Sequence, residues 1–138
     1  MQVESKTVQC AKSPQALYEF LSDFTNFTRL IPADKVQGWH TTGDTCTFSV
    51  AGFITITLEY AERTPYSRIV VAPASNSNSP IPLKATVNIM GNGPDSARVN
   101  MVVDGGGGNP MLTMMLKPKV REAVDKLMDG LQYYSTGL

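Results

Sequence analysis

The chain has 138 residues, with 12 basic and 12 acidic side chains and a formal net charge of +0. This length suits one domain with a substantial core, so we predict a single domain over residues 1–138. The balanced charge argues against nucleic-acid binding. No apolar stretch approaches the roughly 20 residues of a membrane-spanning helix, and the N-terminus lacks a signal-peptide core. We therefore expect a cytoplasmic protein without stable membrane insertion.

The two cysteines, Cys10 and Cys46, form no C-x-x-C motif, and His40 is the single histidine. These three side chains cannot complete a zinc site on their own. We expect both cysteines to be small buried apolar residues. The sequence thus predicts no metal and no cofactor.

The N-terminal third predicts one strand followed by two short helices. Residues 2–10 mix Val and Thr with polar residues, which is typical of an edge strand. Ser13 can then cap a helix whose first position is Pro14. Asp23 can cap a second short helix, which Pro32 would end. Apolar residues at helical spacing form a stripe that must be buried: Leu17, Phe20, Leu21 and Phe24.

Residues 36–104 change to a period of two, which indicates strands with one buried face. The turn at residues 42–45 predicts a tight hairpin in which Trp39 opposes Phe48. Opposed residues share a face, so His40 falls on the face away from this pair. The face of Trp39 also carries these hairpin residues: Cys46, Phe48 and Val50.

The alternation continues through four more strands, which brings the predicted total to seven. Each strand presents apolar residues to one side at every second position. The inward positions are Ile54, Ile56, Leu58, Tyr60, Ile69, Val71, Leu83, Ala85, Val87, Ile89, Val99, Met101 and Val103.

The longest helix is predicted after the glycine run at residues 105–108, which we read as a mobile joint. Asn109 and Pro110 repeat the cap-and-proline signal. Pro118 lies inside this helix, where it removes a hydrogen bond, so the helix should bend or restart there. The buried stripe consists of Leu112, Leu116, Val120, Val124, Leu127 and Leu131.

The start of this helix carries Met111, Met114 and Met115. Methionine adapts to irregular shapes, and a bend at Pro118 would leave room beside the sheet. This cluster suggests contact with a ligand. Ordinary core packing explains it at least as well.

No catalytic constellation stands out. His40 would be the default general base, but the hairpin register turns it away from the apolar face. Glu59 and Asp104 also fall on the polar sides of their strands, and no nucleophile motif such as G-x-S-x-G is present. Tyr60 is the best inward polar candidate.

The order of one strand, two short helices, six strands and a long helix resembles the helix-grip fold of the SRPBCC (START-like) superfamily. The resemblance covers nearly the whole chain and rests on residues 13–14, 18–32 and 109–112. It is strongest to small bacterial members of unassigned function, through residues 39–48. This resemblance implies an α+β fold with a seven-stranded curved antiparallel sheet and a cavity between the sheet and the last helix. The superfamily shares no universal catalytic residue.

We therefore predict a non-enzymatic binder or carrier of a small hydrophobic molecule, such as a lipid, polyketide or isoprenoid. Two alternatives stay open: a cyclase or dehydratase that uses the same cavity, and a ligand-free module that regulates chaperones. The residues predicted to line the ligand site are Trp39, Phe48, Ile56, Tyr60, Val71, Leu83, Val87, Met101, Met111, Met114 and Met115.

Overall fold

A computed structural model of the chain describes residues 2–30, 37–50, 54–74, 83–105 and 110–137. These residues form an α+β domain. Its strands are β1 (Gln2–Glu4), β2 (Val8–Cys10), β3 (Gln37–Thr41), β4 (Thr45–Val50), β5 (Ile54–Thr64), β6 (Arg68–Pro73), β7 (Lys84–Gly91) and β8 (Ala97–Asp104). Its helical elements are α1 (Pro14–Leu21), a 3-10 segment (Phe24–Arg29) and α2 (Pro110–Gly137).

The strands form one antiparallel sheet in the order β1-β8-β7-β6-β5-β4-β3, and β2 also pairs with β8. The predicted seven strands become eight because the first strand is interrupted at Ser5. The Ser5 N–H donates to the Met101 carbonyl at 2.8 Å, and the Met101 N–H donates to Ser5 Oγ at 2.8 Å. The serine hydroxyl thus replaces a backbone carbonyl, and the buried amide stays paired across the break.

The β3–β4 hairpin has the register that its two-residue turn predicts at the turn itself, where Thr41 pairs with Cys46. A register shift follows between residues 37 and 40. Trp39 and Phe48 nevertheless remain neighbours, with ring centroids 5.9 Å apart and planes inclined by 23°. We call these two residues the aromatic pair.

The two N-terminal caps are present as predicted. Ser13 Oγ accepts a hydrogen bond from the Ala16 N–H at 3.1 Å, and Asp23 Oδ1 accepts one from the Thr25 N–H at 2.9 Å. The predicted end of the second helix at Pro32 lies outside the described residues. The predicted apolar stripe is buried at all four positions: Leu17, Phe20, Leu21 and Phe24.

The sequence predicted that the last helix bends or restarts at Pro118. Helix α2 is continuous through Pro118, so a restart is wrong. Pro118 is exposed, so the backbone hydrogen bond that proline cannot donate is missing on the solvent side of the helix. Asn109 and the Leu112 side chain lie outside the described part of the chain. The other predicted stripe residues are buried, and Met128 joins them: Leu116, Val120, Val124, Leu127 and Leu131.

Helix α2 is fixed along the edge of the sheet formed by β1 and β2, and it also contacts β8. Helix α1 covers β6 and β7. We call the sheet face that the helices cover the inner face. The core between them includes buried residues from both helices and from β1, β2 and β4 to β8. The aromatic pair lies on β3 and β4, at the opposite end of the sheet from β1.

Candidate ligand-binding site

The aromatic pair forms the apolar surface of the candidate site. Phe48 pairs with Ile56 across β4 and β5, and Ile56 is fully buried, so Phe48 lies on the inner face. Trp39 and Phe48 are only partly buried and pack against the margin of the core. Two large rings at the end of the sheet away from α2 can therefore present apolar surface to a ligand.

Trp39 also carries a polar atom that no described residue satisfies. Its Nε1–H is buried and finds no acceptor among the described residues. A buried donor left without a partner costs about 1–3 kcal/mol, and such groups are rare in native proteins. The aromatic pair therefore combines an apolar surface with one unpaired hydrogen-bond donor.

Tyr60, the predicted inward polar group, is held by its surroundings. Its phenol donates a hydrogen bond of 2.6 Å to the Leu21 carbonyl, and its ring stacks on Phe24 with centroids 4.2 Å apart. The Arg63 guanidinium lies 4.6 Å from the ring centroid. Burial raises the pKa of the Tyr60 phenol well above its ordinary value. The geometry thus gives Tyr60 a structural contact with the end of α1 and keeps its proton in place.

The two cysteines are free and buried, as predicted. Cys46 lies on the inner face of β4, where burial raises the pKa of its thiol to about 12. Burial also raises the pKa of the Cys10 thiol. Since the thiolate is the nucleophilic form, neither side chain is activated at neutral pH.

Three solved structures share this architecture. A START superfamily protein from Mycobacterium smegmatis superposes with a TM-score of 0.71 at 18% identity, covering 97% of this chain and 96% of that one. The Zhui aromatase/cyclase from Streptomyces sp. R1128 gives 0.71 at 15% identity, covering 98% and 93%. The protein XoxI from Bacillus cereus gives 0.67 at 10% identity, covering 99% and 96%.

The chain has the START-type helix-grip fold. This confirms the fold that the sequence resembles, and at these identities the likeness concerns the fold alone. No protein-family model matches the sequence, and no curated protein gives a significant match.

Five of the predicted site residues lie in the continuous core of the helix-grip fold. Each is less than a tenth exposed, so they form the packed interior that the aromatic pair borders. They are Ile56, Val71, Leu83, Val87 and Met101. Phe24, which the sequence predicted only as a core residue, joins this region through its contact with Tyr60.

The three methionines at the start of α2 are largely exposed. Met111, Met114 and Met115 are 79%, 77% and 47% exposed, whereas Leu116 on the same turn is fully buried. Their spacing places them on the helix face opposite the buried stripe. We call this surface the methionine face. The adaptability of methionine and the expected bend at Pro118 had suggested contact with a ligand, and the helical spacing relative to Leu116 was the signal that could have shown these side chains to be exposed.

The charged side chains in the described ranges do not form a second candidate site. His40 is exposed, as its register predicted. Within the described ranges no group of three or more His, Cys, Asp or Glu side chains is arranged to hold a metal ion. None of the helices described is long and apolar enough to span a membrane. A shallow surface recess of about 230 Å³ beside β2, lined by residues 7–9 and Arg98, is distant in sequence from the aromatic pair.

Proposed function

We propose that this protein is a non-enzymatic binder or carrier of a small hydrophobic molecule held on the inner face at the aromatic pair. The aromatic pair carries this proposal, because core packing leaves two large inward rings partly exposed. Apolar surface removed from water there would contribute roughly 25 cal/mol per Å². A lipid, polyketide or isoprenoid is the ligand class that the superfamily resemblance of the sequence implies, and the fold shared with a START superfamily protein and an aromatase/cyclase agrees with that resemblance.

In this proposal the aromatic pair is the contact surface and the buried inner-face residues are its floor. Tyr60 borders the floor without offering its phenol, which is already bonded to Leu21. The methionine face is exposed and lies outside the proposed contact surface. A Met111→Gln, Met114→Gln, Met115→Gln variant should therefore retain ligand affinity within about twofold; a larger loss would return these residues to the site.

A cyclase or dehydratase would need an acid or base at the ligand. Among the described inner-face residues, Tyr60, Cys46 and Cys10 are ionisable, and burial raises the pKa of each. Each side chain is therefore protonated at neutral pH, and the Tyr60 proton is committed to a backbone carbonyl. These properties favour a binder over an enzyme.

The methionine face is the observation that favours the interaction-module alternative, since three large apolar side chains face solvent together. The same triple methionine variant separates the two readings. A binder keeps ligand affinity in this variant, whereas a pure interaction module shows no saturable small-molecule binding in any variant.

The test uses Trp39 as an intrinsic reporter, because it is the single tryptophan of the chain. Freshly purified protein is examined by native mass spectrometry for a retained small molecule, and its tryptophan emission is followed during titration with 1-anilinonaphthalene-8-sulfonate. We expect a retained hydrophobic species or saturable binding of the probe. Phe48→Ala should weaken probe binding at least fivefold, while Tyr133→Ala, which removes an exposed ring from α2, should not. Absence of both retained species and saturable binding would refute the proposal.

A further inference from the structure

The Trp39 indole defines what kind of ligand the proposed site can accept. Its Nε1–H is buried, and no acceptor for it exists among the residues that the structure describes. Tryptophan has one donor and no acceptor on its side chain. Buried donors in folded proteins are nearly always bonded, and none of the residues in the described ranges supplies this acceptor.

We propose that Trp39 selects hydrophobic ligands that carry a neutral acceptor oxygen, such as a ketone or ester carbonyl, and donates its Nε1–H to that oxygen. This inference rests on the proposed function and deepens it by naming a chemical feature of the ligand. Trp39 is thus a specificity-determining residue of the site. The aromatic pair supplies apolar contact, and the hydrogen bond from the indole edge orients the ligand.

The orientation of the ring constrains where the oxygen lies. An N–H group of an indole points outward in the ring plane, so its acceptor lies beside the ring, about 2.9 Å from Nε1. One face of the Trp39 ring is occupied by Phe48, which is inclined to it by 23°. The oxygen must therefore approach the indole edge, and the apolar body of the ligand extends from there along the inner face.

The surroundings favour a neutral acceptor over a carboxylate. The core residues that border the aromatic pair on β4 and β5 are apolar, and Arg63 is already placed over the Tyr60 ring. An anion buried without a cation would lose more hydration than one indole N–H can restore. A carbonyl or ether oxygen loses much less on transfer and can accept the same bond.

This arrangement discriminates against pure hydrocarbons. A hydrocarbon in the site would leave the buried Nε1–H unbonded, whereas a ketone of the same shape would satisfy it. We expect the ketone to bind at least tenfold more tightly, which corresponds to about 1.4 kcal/mol.

The experiment compares 9-fluorenone with fluorene, two flat tricyclic compounds that differ by a carbonyl in place of a methylene group. Calorimetric titration of the wild-type protein should give at least tenfold tighter binding of fluorenone. In Trp39→Phe the preference should fall to within twofold. Because that variant could fold poorly, the wild-type protein labelled with ¹⁵N-tryptophan supplies a second measurement: its one indole resonance should move downfield with fluorenone and much less with fluorene.

The outcomes separate this inference from the proposed function. Equal affinity for the two compounds overturns the donor role and leaves the binding function standing. An indole resonance unmoved by bound fluorenone also overturns it, as expected if a permanent water accepts the bond. A preference that persists in Trp39→Phe assigns selection to another residue and overturns the inference. Failure of both compounds to bind overturns the inference, whereas the proposed function is decided separately by the retained-ligand and probe-binding measurements.

Discussion

Gly130 of α2 lies against Leu30 so closely that a Cβ added to the glycine would stand 2.4 Å from the Leu30 carbonyl oxygen. Glycine inside a helix costs about 1 kcal/mol relative to alanine. Here its missing side chain lets the helix approach the backbone at the end of the 3-10 segment. The contact holds the C-terminal half of α2 against the N-terminal part of the chain, far along the helix from the methionine face.

Gly130→Ala should destabilise the protein by about 1–3 kcal/mol, because the new methyl group meets backbone atoms that cannot turn aside. Urea unfolding followed by circular dichroism measures this. Lys126→Ala, at an exposed position of the same helix, is the control and should change stability by less than about 0.5 kcal/mol. A Gly130→Ala protein that gains stability through alanine's helix propensity would contradict the close contact.

Ser5→Ala should cost about 1–3 kcal/mol, because the buried Met101 N–H loses the hydroxyl that accepts its hydrogen bond. Hydrogen exchange adds a local measurement: the Met101 amide should exchange faster relative to other β8 amides. Thr7→Ala, two residues away and exposed, provides the comparison. Equal protection of Met101 in Ser5→Ala and Thr7→Ala would show that the hydroxyl does not replace the backbone carbonyl.

Burial of the Cys46 thiol should make the folded protein less stable at alkaline pH. Its thiol has a pKa of about 12 in the folded protein against 9.0 for an unperturbed thiol. Between these values the unfolded chain releases a proton that the folded chain keeps, so the free energy of unfolding falls as pH rises above about 9. Below pH 9 this contribution is constant. The fall between pH 9 and 10.5 should be shallower in Cys46→Ala than in the wild type; parallel curves would contradict the burial of the thiol.

Pro118→Ala should raise the stability of α2, by up to about 3 kcal/mol at an exposed helical position, because it restores one backbone hydrogen bond. If a bend at Pro118 leaves room beside the sheet, the same variant should also bind 1-anilinonaphthalene-8-sulfonate less tightly. Thermal unfolding and probe titration are measured together, with Lys117→Ala as the neighbouring control. Higher stability with unchanged probe affinity would separate the proline from the site.

Features with a local cause could be predicted from the sequence. Ser13 with Pro14 predicted the start of α1, the turn at residues 42–45 predicted the Thr41–Cys46 register, and the spacing of Leu116 to Leu131 predicted the buried stripe. Each depends on residues a few positions apart in the chain, whose geometry is set by helix or hairpin period.

Features that depend on distant contacts could not be predicted in this way. The role of Gly130 depends on the position of Leu30, a hundred residues earlier, and the role of Ser5 depends on Met101, whose amide bonds the serine hydroxyl. The Trp39 donor is likewise a relation between one atom and everything around it. The aromatic pair was therefore predictable as an apolar surface, whereas its unsatisfied N–H was not.

The division of the first strand has a consequence for how copies of this chain behave at high concentration. An open sheet edge can accept a strand from another molecule and so seed aggregation. Here that edge is interrupted at Ser5, and Gln132 and Ser135 of α2 bond the backbone at Gln9 and Ala11. Helix α2 thus covers this edge of the sheet. Removal of the last turns of α2 would expose this edge of the sheet. We expect such a truncated protein to become insoluble before its ligand preference changes.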